Sequence, residues 1–337
     1  MPTGVTIGIV LASIFGFLAF IFLVMVLLRF YIRRPTRGSD NPKTLHGKTV
    51  VITGANTGIG KVTATDLAKR GAKVIICCRS PERAQEAIKD IKTESGSQLV
   101  ENVTCNLASL ASVRKCAQTI LGQEEKIDYL VNNAGVMWCP QWKTEDGFDM
   151  QIGTNHLGHF LLTQLLMPLI RKSAASGHHP RIVIVSSLGH TFVRHGFCFD
   201  DVHMDKGEYN TVMAYSQSKL ANILHAKELA KELEGTGISV YALHPGAIMT
   251  DLGRHLYERL GCWAKPLLPL ATFVVKTPFY GAQTTLYCLL EDKIEGQSGL
   301  YYSDCDVKAP SRHAQDMEAA KKLWQLSEEL VGLKESV

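Results

Sequence analysis

No Cys-x-x-Cys pair occurs in the 337 residues, and the nine cysteines are an odd number. Both features argue against a disulfide framework or a structural zinc site and leave reduced, mostly buried thiols. Metal spacings such as HExxH are missing too. His178, His179, His190, His195 and His203 crowd one stretch, but they read as loop and surface histidines, so no metal is expected. Excess charge is confined to one place. Of a formal net +4, residues 29–48 hold +5, from Arg29, Arg33, Arg34, Arg37, Lys43 and Lys48 against Asp40, which leaves about −1 elsewhere. A near-neutral body offers a nucleic acid little to hold, and no such partner is expected.

Charge is also absent from Val5 to Leu28, 24 residues that end in RFYIRRPTR. At 1.5 Å per residue this run is long enough to cross a hydrocarbon core of about 30 Å. A cleaved signal peptide would carry a basic segment ahead of a shorter apolar core. Here the basic residues follow, so residues 1–28 are expected to be an uncleaved single-pass anchor and 29–47 a basic juxtamembrane linker. Arginines on that side place the body in the cytosol. Phe30 and Tyr31 suit the aromatic belt, and Gly4-x-x-x-Gly8 is too near the end of the span to read as a dimer contact. The sequon Asn102-Val103-Thr104 is then expected to be unmodified.

From residue 48 to 332 short β-rich runs alternate with helical ones. Strands are expected at 49–53, 73–78, 99–104, 128–132, 181–186, 238–243 and 299–302. Helices are expected at 59–70, 82–94, 109–121, 148–172, 212–234, 278–290 and 315–331. This alternation implies an α/β fold: a single Rossmann-type, doubly wound parallel sheet with helices on both faces, preceded by one N-terminal transmembrane helix. The first turn, in VVITGANTGIGK (Val50–Lys61), is punctuated by Gly54, Gly58 and Gly60. Glycines there permit a tight turn and close approach to a phosphate at a helix amino terminus. Asn56, Thr57 and Ile59 share that turn and are expected at the cofactor. At the end of the second strand, KVIICC, stands Cys78 followed by Arg79 where a carboxylate would repel a 2′-phosphate. Arg79, with Lys61 as a second cation, favours NADP(H) over NAD(H).

Tyr215 and Lys219 stand four apart in AYSQSKLAN, on one face of a helix. A phenol is a weak base at neutrality, and a nearby cation favours its ionised form. Such a pair beside a dinucleotide turn points to hydride transfer with the phenol as acid or base.

TGANTGIG (53–60), NNAG (132–135), Asn155 in TNHLGHF, VSS (185–187), YSQSK (215–219) and HPGAIMT (244–250) together resemble the short-chain dehydrogenase/reductase family. Finer features, including NHLGHF, SLGH and GLYYSDC, resemble its membrane-anchored, NADP(H)-preferring retinol dehydrogenases over residues 40–332. The resemblance implies that Tyr215 is the general acid/base and that Lys219 lowers its pKa and holds the nicotinamide ribose. It implies that Ser187 binds and polarises the substrate carbonyl and that Asn155 positions a water in the proton relay. Asn132, Ala134 and Gly135 would line the cofactor, and Pro245, Gly246 and Thr250 the nicotinamide amide. On the residues alone Ser186 is as plausible a hydroxyl as Ser187. Asn106 replaces the family's aspartate near the adenine, which puts that contact in doubt.

Substrate recognition is expected from 189–210, between Ser187 and Tyr215, and from 251–280, read as a hydrophobic lid or as an ordinary packed helix. The substrate would be a small apolar carbonyl or alcohol. Retinal and retinol come first, with carbonyl reduction favoured, and lipid-derived aldehydes and hydroxysteroids are the alternatives. A non-catalytic membrane scaffold would show a broken tetrad, and all four positions are filled. The endoplasmic reticulum membrane, and a homodimer through the helices carrying Asn155 and Tyr215, complete what the resemblance implies.

Overall fold

The computed structural model describes residues 3–32, 38–248 and 275–333. Its sheet has the order β3-β2-β1-β4-β5-β6-β7-β8. The strands are β1 (Thr49–Thr53), β2 (Lys73–Cys78), β3 (Val100–Thr104), β4 (Tyr129–Asn132), β5 (Arg181–Val185), β6 (Ser239–His244), β7 (Leu300–Ser303) and β8 (Asp306–Val307). Seven are parallel, and the unforeseen β8 closes the edge antiparallel to β7. Buried on both faces, β1 and β5 read as continuous apolar runs, as a sheet covered on both sides requires. Within β1, Val51 packs into one core while Val50 and Ile52 pack into the other.

The helices are α1 (Thr3–Ile32), α2 (Gly58–Lys69), α3 (Pro81–Ser95), α4 (Leu110–Gln123), α5 (Met150–Ile152), α6 (Gly158–Ala175), α7 (Thr211–Glu232), α8 (Pro278–Leu290) and α9 (Met317–Leu330). Their ends follow local chemistry. Ser80 caps α3 by accepting from the Arg83 N–H, Pro81 opens it, and Gly96 ends it in the left-handed region at φ 73°. Asn210 caps α7 by accepting from the Val212 and Met213 N–H groups.

The helix expected over 148–172 is broken. A π-turn at Gly153–Leu157 joins α5 to α6 and carries Asn155. Its flanking glycines explain the path. A Cβ on Gly153 would lie 2.5 Å from Thr144 Cγ2, and one on Gly158 would strike the Leu107 carbonyl. Residues 38–47, expected as linker, lie on the body instead: Leu45 is buried and its N–H reaches the Arg70 carbonyl at 2.8 Å. Thr6–Phe30, of mean hydropathy 2.9 and unburied, is long and apolar enough to cross a membrane.

α9 lies over the junction of α6 and α7. Trp324 packs edge-on against Phe160 at 5.0 Å and against His225 at 5.9 Å, and His156 bonds Ser327 at 2.8 Å. Pairing of two chains through that face would require α9 to leave. Burial holds His156 down at about 3, His159 at about 4 and His225 well below its usual value. An unfolded chain binds these protons below pH 6.5, whereas the folded chain does not, so stability is lost as pH falls from 6.5 towards 4. At pH 5 each such histidine should cost about 2 kcal/mol. Urea unfolding at pH 7 and pH 5 measures this; His225→Gln should flatten the difference.

Candidate active site

The carboxyl ends of β1, β2, β4, β5 and β6 meet at one cleft, the usual ligand position in such sheets. Its nucleotide side, about 240 Å³, is lined by Gly54, Asn56, Thr57, Gly58, Ile59 and Gly60 from the first turn, Arg79 and Arg83, Asn106, and Asn133, Ala134 and Gly135. The cradle has room only for glycine. Gly54 sits at φ 66° and a Cβ there would lie 2.8 Å from that of Ala134, while one on Gly60 would lie 2.6 Å from Asn133 Nδ2. Backbone N–H groups at the start of α2, two exposed guanidiniums and no carboxylate at the end of β2 fit a phosphorylated dinucleotide. A larger cavity, about 660 Å³, opens at the other end of the sheet beside Lys227 and Glu295 and holds none of the motif residues.

Most of the expected residues converge here, and four expectations change. Asn132 does not line the cleft: it is fully buried, and its amide donates to Thr163 Oγ1 at 2.8 Å. The neighbouring Asn133 faces the nucleotide side instead, tied to the Thr53 carbonyl at 2.8 Å. Lys61 is turned away in an ion pair with Asp90 at 2.6 Å, and Arg83, on the first turn of α3, is the second cation. Of the five histidines expected on the surface, His190 is buried, its ring reaching the Ser187 carbonyl at 2.6 Å and the Ser311 N–H at 3.1 Å. Asn106 does reach the cleft, but its amide is engaged at both ends. Nδ2 donates to Glu145 at 3.2 Å and Oδ1 accepts from the Ala108 N–H at 3.2 Å. An aspartate there would repel Glu145. Among the described residues no group of three metal-ligating side chains forms.

At the substrate end, adjacent serines part ways because successive residues point to opposite sides of an extended chain. Ser186 Oγ is buried and donates to the Lys219 carbonyl at 2.7 Å. Ser187 Oγ stands beside the Tyr215 phenol, which it pulls downward in pKa, and accepts from the Gly189 N–H at 3.1 Å. A Cβ on Gly189 would crowd the Tyr215 ring at 3.1 Å, so this glycine leaves the phenol its place. Ser187→Ala should therefore lower kcat about 100-fold with an unchanged melting temperature. Ser186→Ala should lose about 1–3 kcal/mol of stability and keep most of kcat. Paired thermal melts and steady-state rates separate the two.

Lys219 Nζ lies 5.7 Å from the Tyr215 ring centre and donates to the Val185 carbonyl at 3.1 Å. Both residues are buried, and burial dominates: it pushes the phenol up to about 12, against the pull of Ser187, and the ammonium down to about 8. Desolvation of the phenolate outweighs its neighbours here. Asn155 is held at three points. Its Oδ1 accepts from the Val136 N–H at 2.8 Å, and its Nδ2 donates to the Val136 carbonyl and to Ser218 Oγ, each at 2.9 Å.

Thr53 and His159, within TGANTGIG and TNHLGHF, join the two ends of the cleft, roles that the sequence pattern did not single out. Thr53 Oγ1 accepts from the N–H groups of Asn133 and Ala134 at 2.9 and 3.0 Å and bonds His159 Nε2 at 2.8 Å. His159 Nδ1 in turn donates to the Asn155 carbonyl at 3.0 Å. Pro245 and Gly246 follow β6. Gly246 has φ 100°, and a Cβ would lie 2.6 Å from Lys276, which pairs with Asp304 at 2.6 Å. Thr250 and residues 251–274 of the expected lid lie outside the described residues.

A glycine cradle for a dinucleotide, with a half-buried serine beside a buried tyrosine and lysine at one cleft, defines a nucleotide-dependent oxidoreductase. Residues 48–198 and 204–261 match the short chain dehydrogenase family model. The chain belongs to that family of enzymes, which use nicotinamide cofactors. It is 46% identical over 310 residues to retinol dehydrogenase 13 of Homo sapiens, covering 91% of each chain. Retinol dehydrogenase 14 of Homo sapiens is 45% identical over 319 residues, covering 90% of this chain and 91% of its own. A crystal structure of a Mycobacterium paratuberculosis protein superposes with a TM-score of 0.70 at 34% identity, covering 88% of this chain and 98% of that one.

Proposed function

We propose that the chain is a membrane-anchored, NADP(H)-dependent oxidoreductase that interconverts retinal and retinol, with carbonyl reduction favoured by NADPH. The observation that carries the reading is the Tyr215 phenol, buried beside Ser187 and Lys219, at the end of a cleft whose far side presents Arg79 and Arg83. The names of the similar human enzymes support a retinoid substrate. Four arginines directly after the apolar run support a cytosol-facing body, and the same relatives' likeness is the ground for proposing the endoplasmic reticulum membrane.

Bound nicotinamide would supply the hydride; the chain's residues manage the oxygen and its proton. Ser187 Oγ orients and polarises the carbonyl oxygen, while Tyr215 donates a proton to it. At about 12, the phenol is protonated throughout the physiological range, as an acid must be. The ammonium of Lys219 steadies the phenolate left behind, and Asn155, locked to Val136, is placed to order the water that restores the proton. Arg79 and Arg83 would bind a 2′-phosphate.

With Lys219 near 8, reduction should be level from about pH 6 to 7.5 and fall as pH rises through 8 and the ammonium is lost. A pH–kcat profile checks this, and Lys219→Arg should move the falling limb to higher pH. The reading itself is tested with full-length chain in liposomes, NADPH and all-trans-retinal, using Tyr215→Phe as the blank. A Tyr215-dependent rate supports it. Intact NADPH binding without such a rate would rule out retinal as the substrate.

A further inference from the structure

Arg70, the residue that caps the carboxyl end of the helix opening at the nucleotide cradle, turns both terminal nitrogens of its guanidinium to one stretch of chain. It donates to the carbonyls of Ser39 at 2.9 Å and Lys43 at 3.0 Å, and to that of Asn41, while its Nε pairs with Asp66. Ser39 gives both its N–H and its hydroxyl to Gln283 Oε1, at 2.9 and 3.0 Å. Asn41 Nδ2 donates to the Leu290 carbonyl at 3.2 Å, and Lys43 pairs with Asp292. Gly38 lies so close to α8 that a Cβ would strike the Gln283 carbonyl and lie 2.8 Å from Leu286 Cβ. Residues 38–45 thus form a strap along α8 and α2. It runs from the middle of α8, at Gln283, towards that helix's carboxyl end, at Leu290, so Gly38 is its end nearer the cleft.

Only six residue steps separate Ile32, the end of α1, from Gly38. Fully extended they span about 20 Å, whereas a body of this size is about 50 Å across. A strap bonded at so many points cannot pay out more chain, so the face near Gly38 must lie against whatever α1 crosses. At the cleft end of that body, large apolar side chains are exposed: Leu188 at 54% and Phe192 at 51% in the turn after β5, and Phe279 at 46% at the start of α8.

We infer that the strap fixes the body on the bilayer with this cleft rim, Leu188, Phe192 and Phe279, seated on the lipid surface. The inference rests on the proposed anchoring by α1, not on the identity of the substrate. An apolar substrate would then pass from lipid to Ser187 and Tyr215 without crossing bulk water.

The test is photolabelling of the full-length chain in phosphatidylcholine liposomes carrying a diazirine on the acyl chain near the headgroup, with labelled peptides mapped by mass spectrometry. Label is expected in the peptides holding Leu188, Phe192 and Phe279, several-fold above those holding Leu99 and Leu121. Those two are comparably exposed, at 55% and 38%, but lie at the opposite end of the sheet. Inserting about 20 Gly/Ser residues between Arg37 and Gly38 leaves the strap intact and relaxes the tether. Rim labelling should then drop towards the level of the control peptides. Equal labelling of rim and control in the native chain, with the protein resistant to carbonate extraction, would overturn the orientation while leaving the anchor standing. Release by carbonate would overturn the anchor and the orientation together. Neither outcome depends on a rate with retinal.

Discussion

Replacing Tyr215 by phenylalanine is expected to lower kcat by about three orders of magnitude while leaving NADPH binding within about twofold. The substitution removes one oxygen and nothing else. The ring stays wedged between Gly189 and the buried face of α7, and Ser187 keeps its bond from the Gly189 N–H. Stability should therefore barely move, and a melting curve with and without NADPH supplies the control. Of the other described side chains at this point, Lys219 is engaged at the Val185 carbonyl and the Asn155 amide is held by Val136 and Ser218, which leaves the Ser187 hydroxyl and water as the alternative acids. A residual rate above a few per cent of wild type would mean that Ser187 or water serves as the acid, and Tyr215 would lose its assigned role.

Arg79→Asp is expected to weaken NADPH about 100-fold and NADH less than about threefold. A charge-assisted bond to phosphate contributes about 1.5–3 kcal/mol, and the new carboxylate adds repulsion. Arg83→Ala should weaken NADPH by about tenfold, since Arg83 stands one helical turn further along the same wall. Arg83 N–H caps onto Ser80, a main-chain bond that the alanine variant keeps, so a fold defect is not expected to imitate the effect. Kd values for the two nucleotides, measured side by side by tryptophan quenching, decide the matter. Parallel losses for NADPH and NADH would place both guanidiniums away from the 2′-phosphate.

Much of this was legible in the sequence because the physics is local. β1 and β5 are runs that only a twice-covered sheet can bury, and a glycine turn before a helix has few other uses. Position-specific choices were not legible. Ser186 and Ser187 differ only in which side of the strand each takes, and that depends on the register of β5 against β6. Asn132 and Asn133 part for the same reason. Arg83 was hidden because a charged residue in a helix's first turn normally reads as solvated. The π-turn left only Gly153 and Gly158 as a sign, and these count only once Thr144 and Leu107 are known to press on them. The balance at the Tyr215 phenol has the same root: the i, i+4 spacing shows that Lys219 is near, but burial depends on the whole fold.

The Thr53 hydroxyl bears on how such a protein could change over generations. It holds the Asn133 and Ala134 amides on the nucleotide side and, through His159, the carbonyl of Asn155 on the proton-handling side. Exchange of any one member strands a buried partner, so drift here is blocked one step at a time. New substrates are reached more easily by altering the rim at Leu188, Phe192 and Phe279, which touches none of these bonds.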